Sequence, residues 1–332
     1  MKKKTYPVFT ISGFLLLSGM VTLVLVPTVS QAFEVHPTAG VIALLVLFGA
    51  FISLYYQGQT TLKGLKSTPW SQPAIAGKNF LAVFFGGIVA FILAQNVGSG
   101  AVVSASLVGI AAYLILPKFS VPAYCGAFVG MTSELLLFNH GEVALASALA
   151  GIVYLLTEPL FPGFGGKLGT IALIGTASTG VGLGRSFLPG EISAGQTGGL
   201  IILIALIASP LTFYLSNHRK HGPVLGSATV GLIAGLILPI LFPQAGVTLA
   251  VVAHCASFTG MTSPERCRSF RQIFISGFFT AFVFIFSAPF FAGSGGKLGT
   301  IAFASVLSTC GYFQLYRRLK NEILRSKTDS HR

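Results

Sequence analysis

The octapeptide GGKLGTIA occurs twice in the chain, at residues 165–172 and 295–302, which are 130 residues apart. The tetrapeptide GMTS is repeated at the same spacing, at residues 130–133 and 260–263. Two further pairs keep the 130-residue spacing: Cys125 with Cys255, and Phe128 with Phe258. The segments VGIAAYLILP and VGLIAGLILP, which end at Pro117 and Pro239, match at a spacing of 122 residues. An alignable frame of this length indicates an internal duplication, so we expect two structurally related halves.

The composition places both halves in a membrane. Of the 332 residues, 53% are hydrophobic and only 9% are charged, whereas soluble domains carry roughly 25% charged residues. Most windows of about 20 residues are apolar enough to cross the hydrocarbon core as a helix. The alternating ten-residue pattern of a membrane β-barrel is absent from the sequence. We therefore predict an all-α polytopic membrane protein.

About twelve apolar segments can be drawn, and they define the predicted domains. The segments are 7–27, 38–56, 79–95, 100–117, 120–138, 142–160, 167–184, 199–216, 223–242, 246–263, 272–291 and 297–316. The predicted units are two leading helices with a basic loop (1–78), a first repeat (79–198), a second repeat (199–316) and a basic tail (317–332). Each repeat then contains five spans. Because this number is odd, the second repeat enters the membrane from the opposite side and is inverted relative to the first. Such 5+5 inverted repeats are typical of secondary transporters.

The positive charges predict the orientation. The net charge of +13 arises from basic residues between the apolar segments, so a nucleic-acid partner is not expected. With the N-terminal triplet Lys2–Lys4 in the cytoplasm, nineteen of the twenty-one Lys and Arg residues fall on that side, and only Arg185 and Lys297 fall outside. We expect both termini in the cytoplasm and the protein in a plasma membrane, the inner membrane of a bacterium.

The first apolar segment has two interpretations. Residues 7–27 follow a lysine triplet and precede Ser-Gln-Ala, the small-residue pattern of a signal-peptide cleavage site. The apolar run is nevertheless longer than the 7–15 residues of a usual signal core, which favours a retained helix. Both interpretations leave the predicted topology of the other segments unchanged.

The repeated GGK corner is a candidate anion site. The candidate residues are Gly165, Gly166, Lys167 and Thr170 in the first copy, and Gly295, Gly296, Lys297 and Thr300 in the second. Glycines that adopt positive φ let consecutive N–H groups converge, and a helix start and a lysine add positive charge. The alternative is that the glycines allow close packing while each lysine extends to an interface.

The GMTS copies are candidates for binding a solute or ion. The candidate residues are Gly130, Thr132, Ser133, Gly260, Thr262 and Ser263. Hydroxyls, together with carbonyls freed at a helix break, can replace the water around a small solute. The alternative is that the hydroxyls bond to their own helix and the glycines pack a helix crossing.

Two titratable residues are candidates for coupling. Glu134 lies in the apolar run TSELLLF, about 14 residues into a span, and membrane carboxylates default to functional roles. His254 is the one histidine within a predicted span and titrates near neutral pH when unperturbed. Structural roles are the alternative: Glu134 as an ion-pair partner, and His254 as a hydrogen-bonded link to a neighbouring helix.

These features favour a secondary transporter of a small polar or anionic solute, which works by alternating access between the inverted repeats. An uncoupled, channel-like uniporter on the same scaffold is the alternative, and a receptor or assembly factor is a remote one. The sequence has no cofactor motif, no metal-ligand spacing among its four cysteines, and no cluster of catalytic residues, so we do not expect an enzyme. The expected partners are a small-molecule or inorganic ion solute, the lipid bilayer and a coupling H⁺ or Na⁺. Homo-oligomerisation stays open.

Overall fold

The computed structural model describes residues 7–65, 70–192 and 196–329, and within these ranges it is helical, with no β-strand. Its α-helices are α1 (Pro7–Val35), α2 (Pro37–Gly64), α3 (Pro73–Gln95), α4 (Ala101–Ile115), α5 (Ser120–Val129), α6 (His140–Thr157), α7 (Lys167–Gly182), α8 (Gln196–Phe213), α9 (Gly222–Leu241), α10 (Gly246–Gly260), α11 (Phe270–Phe286) and α12 (Lys297–Asp329). A 3₁₀ turn (Pro117–Phe119) precedes α5, and a π-helical turn (Tyr214–His218) follows α8.

Seven of the described helices are long and apolar enough to cross a membrane: α1, α2, α3, α6, α8 with its π turn, α9 and α12. The prediction of a helical membrane protein is therefore confirmed at this level. The other five helices have between 10 and 17 residues, fewer than the roughly 20 of a complete span. Lys2–Lys4, Lys66 and the last three residues of the predicted basic tail lie outside the described ranges.

The two predicted segments that contain a GMTS copy end in non-helical backbone. Segment 120–138 is helical only to Val129, and segment 246–263 only to Gly260. The physical reason is that the backbone bonds elsewhere: the Ser133 N–H donates to the Gly293 carbonyl at 2.9 Å, and the Ser263 N–H donates to the Gly163 carbonyl at 2.9 Å. Each GMTS segment is thus a helix end held by the other half of the molecule.

α7 and α12 cross at the centre of the molecule. A Cβ atom placed on Gly169 would lie 2.4 Å from the Gly299 Cα, and one on Gly299 would lie 2.5 Å from the Gly169 Cα. On either side of this contact, Gly166 meets Phe303, and Gly296 meets Leu173. The pairing order shows that the two helices run antiparallel, with their first turns overlapping. The two GGKLGT copies therefore pack directly on each other.

α1 belongs to the packed core of this structure. Leu17 and Leu25 are almost fully buried, and Gly13 packs against the backbone carbonyl of Leu156 on α6. Phe14 stacks on Phe161, with ring centroids 5.4 Å apart. The first apolar segment therefore contributes to the burial of the loop that precedes α7.

Candidate functional site

Two cavities flank the α7–α12 crossing. The Lys297 cavity has a volume of about 350 Å³ and is lined by Ala101, Met131, Ser133, Gly190, Glu191, Thr248, Val251, Phe284, Ile285, Ala288, residues 292–294 and residues 296–298. The Lys167 cavity has a volume of about 210 Å³ and is lined by Val121, Phe128, Tyr154, Glu158, residues 161–168, Pro223, Phe258 and Met261. Most lining positions of one cavity are equivalent to lining positions of the other at the 130-residue spacing, and no described residue lines both.

Chain segments that border the two cavities contact opposite ends of α6. The Lys167 cavity includes Glu158, which follows the last residue of that helix. The Lys297 cavity includes residues 190 and 191, which belong to the segment that starts beyond α7. In that segment, Arg185 forms an ion pair of 2.8 Å with Glu142 in the first turn of α6.

An aromatic pair borders the Lys167 cavity. The Phe128 and Phe258 rings are buried, their centroids are 4.5 Å apart, and both residues line this cavity. Tyr124 and His254 flank the pair at 4.4 Å and 4.6 Å from the nearest phenylalanine ring centroid. On the other side, Gly295 packs against the Phe128 carbonyl, immediately behind the Lys297 cavity.

The two lysines differ in their hydrogen bonds. The Lys167 ammonium donates to the carbonyls of Thr157, Glu158 and Leu160, at 2.7, 3.1 and 2.6 Å. These carbonyls lie at and just beyond the C-terminus of α6, where a lysine satisfies carbonyls that lack a helical partner. The Lys297 ammonium donates to the Ala288 carbonyl at 2.9 Å, two residues beyond α11. An ammonium group has three N–H donors, so Lys167 is saturated.

The GGK and GMTS motifs bind each other across the two halves. The Gly165 N–H donates to the Thr262 hydroxyl at 3.2 Å, and the Gly295 N–H donates to the Thr132 hydroxyl at 3.0 Å. Each hydroxyl in turn donates to a carbonyl at the end of its own helix, Thr259 for Thr262 and Val129 for Thr132. The four motifs are therefore one interlocked unit.

Left-handed glycines allow each GGK corner to enter its helix. Gly166 and Gly296, which precede α7 and α12, have φ of 83° and 86°, a conformation that favours glycine. The sequence-based expectation of positive φ is met at these two positions. The N–H groups of Gly165 and Gly295, which were expected to face an anion, instead point to threonine hydroxyls.

Six of the predicted binding residues line a cavity. They are Gly165, Gly166 and Lys167 in one cavity, and Ser133, Gly296 and Lys297 in the other. The predicted residues that do not line these two cavities are Thr132, Thr262, Gly130, Gly260, Ser263, Gly295, Thr170 and Thr300. Of these, Gly130 and Gly260 pack against the backbones of α3 and α8, where a Cβ would lie 2.4 Å and 2.3 Å from the Gly87 and Ser209 carbonyls.

The two coupling candidates lie in different surroundings from those expected. Glu134 is exposed on a turn after α5 has ended, so the uninterrupted helix from which its depth was estimated is not formed. His254 is fully buried on α10, and within the described residues neither ring nitrogen has a hydrogen-bond partner. The helix-linking hydrogen bond considered for His254 is thus not formed in this structure. Coupling by either residue stays a prediction.

At the Lys167 cavity, the loop after α10 brings charges close to the lining. The Arg266 guanidinium donates to the Pro162 carbonyl at 2.8 Å and lies 4.6 Å over the Phe164 ring. A hydrogen bond from the Ser263 hydroxyl lowers the pKa of the exposed Glu265 carboxyl below its ordinary value. Glu265 is therefore negatively charged at neutral pH, beside a cationic neighbour.

Sequence analysis did not single out the central aromatic pair or Ser294. The sequence did contain an indication for Phe128 and Phe258, because the two residues match at the 130-residue repeat spacing. The sequence also contained an indication for Ser294: in the aligned loops, this polar residue occupies the position that is Phe164 in the first half.

Comparisons with protein-family models, with curated proteins and with solved structures gave no match to this chain.

Proposed function

We propose that the protein is a secondary membrane transporter that moves a small polar or anionic solute by alternating access between two inverted five-helix repeats. In this proposal α3–α7 and α8–α12 are the repeats, α1 and α2 lead them, and the chain crosses the bilayer twelve times. The solute enters one cavity, passes the Phe128–Phe258 pair when the repeats move against each other, and leaves through the other cavity.

The short helices are compatible with twelve crossings. With 10 residues, α5 extends about 15 Å, so the segment after it must complete the crossing. Non-helical backbone is tolerated at membrane depth where protein surrounds it or a cavity borders it. The bonds from Ser133 N–H to Gly293 and from Ser263 N–H to Gly163 supply the required partners. Discontinuous helices next to a solute path are typical of inverted-repeat transporters.

The observation that carries the proposal is the pair of cavities lined largely at equivalent positions of the two halves, with the buried Phe128–Phe258 pair bordering one of them. Alternating access needs a path that opens to each side in turn, and in this proposal the two cavities are the two ends of that path. The antiparallel α7–α12 crossing gives the repeats a shared pivot, because Gly169 and Gly299 contact each other through their backbones.

The test combines labelling with flux. Ser294→Cys and Phe164→Cys place a thiol at the equivalent position in each cavity, in a chain whose four native cysteines are buried. We expect a membrane-impermeant thiol reagent to label Ser294→Cys from one face of a vesicle and Phe164→Cys from the opposite face. Proteoliposomes should also take up members of a panel of small anions and polar solutes. Labelling of both thiols from the same face, or no flux of any panel member, contradicts the proposal.

An uncoupled, channel-like uniporter is the second candidate, and the position of Glu134 favours it. A carboxylate that couples transport must meet both faces in turn, but Glu134 is exposed on a turn. Imposed H⁺ or Na⁺ gradients separate the candidates, since only a coupled carrier accumulates solute against its own gradient. Glu134→Gln abolishes that accumulation if Glu134 couples transport. An unchanged accumulation in the variant removes Glu134 from the mechanism.

A further inference from the structure

The Lys297 ammonium has unused hydrogen-bond capacity. It donates to one carbonyl, that of Ala288, and within the described ranges it forms no ion pair. Two of its three N–H donors are therefore available to the cavity that the side chain lines. At the equivalent position, Lys167 has three carbonyl acceptors. Of the two equivalent lysines, only Lys297 thus has free donors beside its cavity.

Ser294 supplies a second donor in the same cavity. Its side chain is only 8% exposed, and its hydroxyl has no hydrogen-bond partner among the described residues. A buried hydroxyl that makes no hydrogen bond is costly, and a ligand in the cavity that Ser294 lines would supply the partner. The equivalent residue in the other cavity is Phe164, which offers no hydrogen bond.

The start of α12 adds a third contribution. The helix begins at Lys297, and the N–H groups of a helical first turn have no acceptor within the helix. These N–H groups and the helix dipole favour negative charge at this end. The first-turn residues Lys297 and Leu298 both line the cavity. Glu191 is the one carboxylate in the described lining, and its side chain is exposed, where solvent weakens its repulsion.

We propose that the Lys297 ammonium, the Ser294 hydroxyl and the first turn of α12 form a binding site for a small inorganic anion. This inference rests on the proposed function, because it names the class of solute that the Lys297 cavity accepts. One full and one partial positive charge, with hydroxyl and N–H donors, suit a tetrahedral oxyanion such as sulfate, or a halide such as chloride. Both chemistries use the same donors, and the experiment separates them.

The test measures equilibrium binding of radiolabelled sulfate, and separately of radiolabelled chloride, to the purified full-length protein in detergent. We expect saturable binding of at least one anion. Ser294→Ala removes one hydrogen bond to a charged group and should weaken that binding about tenfold. Lys297→Met removes the charge and should weaken it further, whereas Lys118→Met, a matched change of an exposed lysine, should leave it unchanged. Should Lys297→Met fail to fold, the smaller Ser294→Ala change decides.

Two outcomes overturn the site: no saturable binding of either anion by the wild type, or wild-type affinity in Ser294→Ala and in folded Lys297→Met. Flux in proteoliposomes separates this failure from failure of the proposed function. Saturable binding that depends on Ser294, without flux of any panel solute, retains the anion site and rejects transport. Flux that is accompanied by unchanged anion binding in both variants retains transport and rejects the anion site.

Discussion

The Lys297 cavity and the Lys167 cavity have the same backbone framework but different polar contents. In both, a left-handed glycine precedes a helix, and a threonine from the other half accepts the N–H of the preceding glycine. The side chains differ: Ser294 replaces Phe164, Ala288 replaces Glu158, and one lysine has free donors where the other has none. Duplication has therefore kept the packing contacts equivalent while the two cavities diverged in chemistry.

This comparison separates two roles that the sequence motif combines. Lys167 is needed by the end of α6, because three carbonyls there depend on its ammonium. Lys297 donates one hydrogen bond, to the Ala288 carbonyl just beyond α11, so its ammonium group has donors left for the cavity that it lines. Identical residues at equivalent positions can thus have different functions when the ends of the neighbouring helices differ.

The largest effect is expected at the helix crossing, where the two halves should respond equally. Gly169→Ala and Gly299→Ala each place a methyl group about 2.5 Å from the Cα of the partner helix. Because backbone cannot move aside, each substitution should cost about 3 kcal/mol of unfolding free energy. SDS titration of the purified protein measures this loss. Gly182→Ala on α7, which meets no atom within 4 Å, is the control; a tolerated change at either crossing glycine contradicts the shared contact.

The lysine substitutions should separate the two halves. Lys167→Met leaves three carbonyls without their donor and should cost about 2–3 kcal/mol of unfolding free energy, whereas Lys297→Met removes one bond and should cost about 1 kcal/mol. The same SDS titration, with Lys118→Met as the exposed control, provides the measurement. Equal losses for the two variants would mean that Lys297 is a helix-end donor of the same kind as Lys167.

The threonine links should again be equivalent. Thr132→Val and Thr262→Val keep the shape of the side chain and remove the acceptor for the Gly295 and Gly165 N–H groups. Each should cost about 1 kcal/mol, with similar values in the two halves. If instead both variants are as stable as wild type and only solute flux falls, the hydroxyls bind solute, as the sequence-based hypothesis holds.

The smallest effect is expected from Glu191, the carboxylate of the Lys297 cavity. Glu191→Gln removes repulsion toward an anion, and because the side chain is exposed, solvent and salt limit the gain to about two- to threefold in anion affinity. The gain should shrink as ionic strength rises. Glu265→Gln, at an exposed carboxylate near the other cavity, is the control. A weaker affinity in Glu191→Gln would show that the carboxylate supports binding through another group.

The helical membrane class and most helix positions were predictable, because they depend on local composition. Each of the twelve predicted segments overlaps one α-helix, although α1 and α2 continue eight residues beyond the predicted ends, α12 continues far beyond residue 316, and α5 ends nine residues before residue 138. The sequence suggested a helix break at the GMTS copies, but its partners could not be predicted, since Gly293 and Gly163 lie far along the chain. The depth of Glu134 was estimated from a continuous helix, which ends at Val129.

The sequence by itself determined that the chain is apolar throughout, that it is duplicated, and that its glycine corners precede helices, because these properties belong to single residues and their near neighbours. The tertiary structure decided which distant groups the two GGK segments contact. The Gly165 N–H finds the Thr262 hydroxyl from the other half, and Lys167 finds the end of α6. A hydrogen bond requires two groups within about 3 Å, and only the folded chain sets which distant donors and acceptors come that close. That choice leaves Ser294 and Lys297 with unused hydrogen-bond capacity in their cavity.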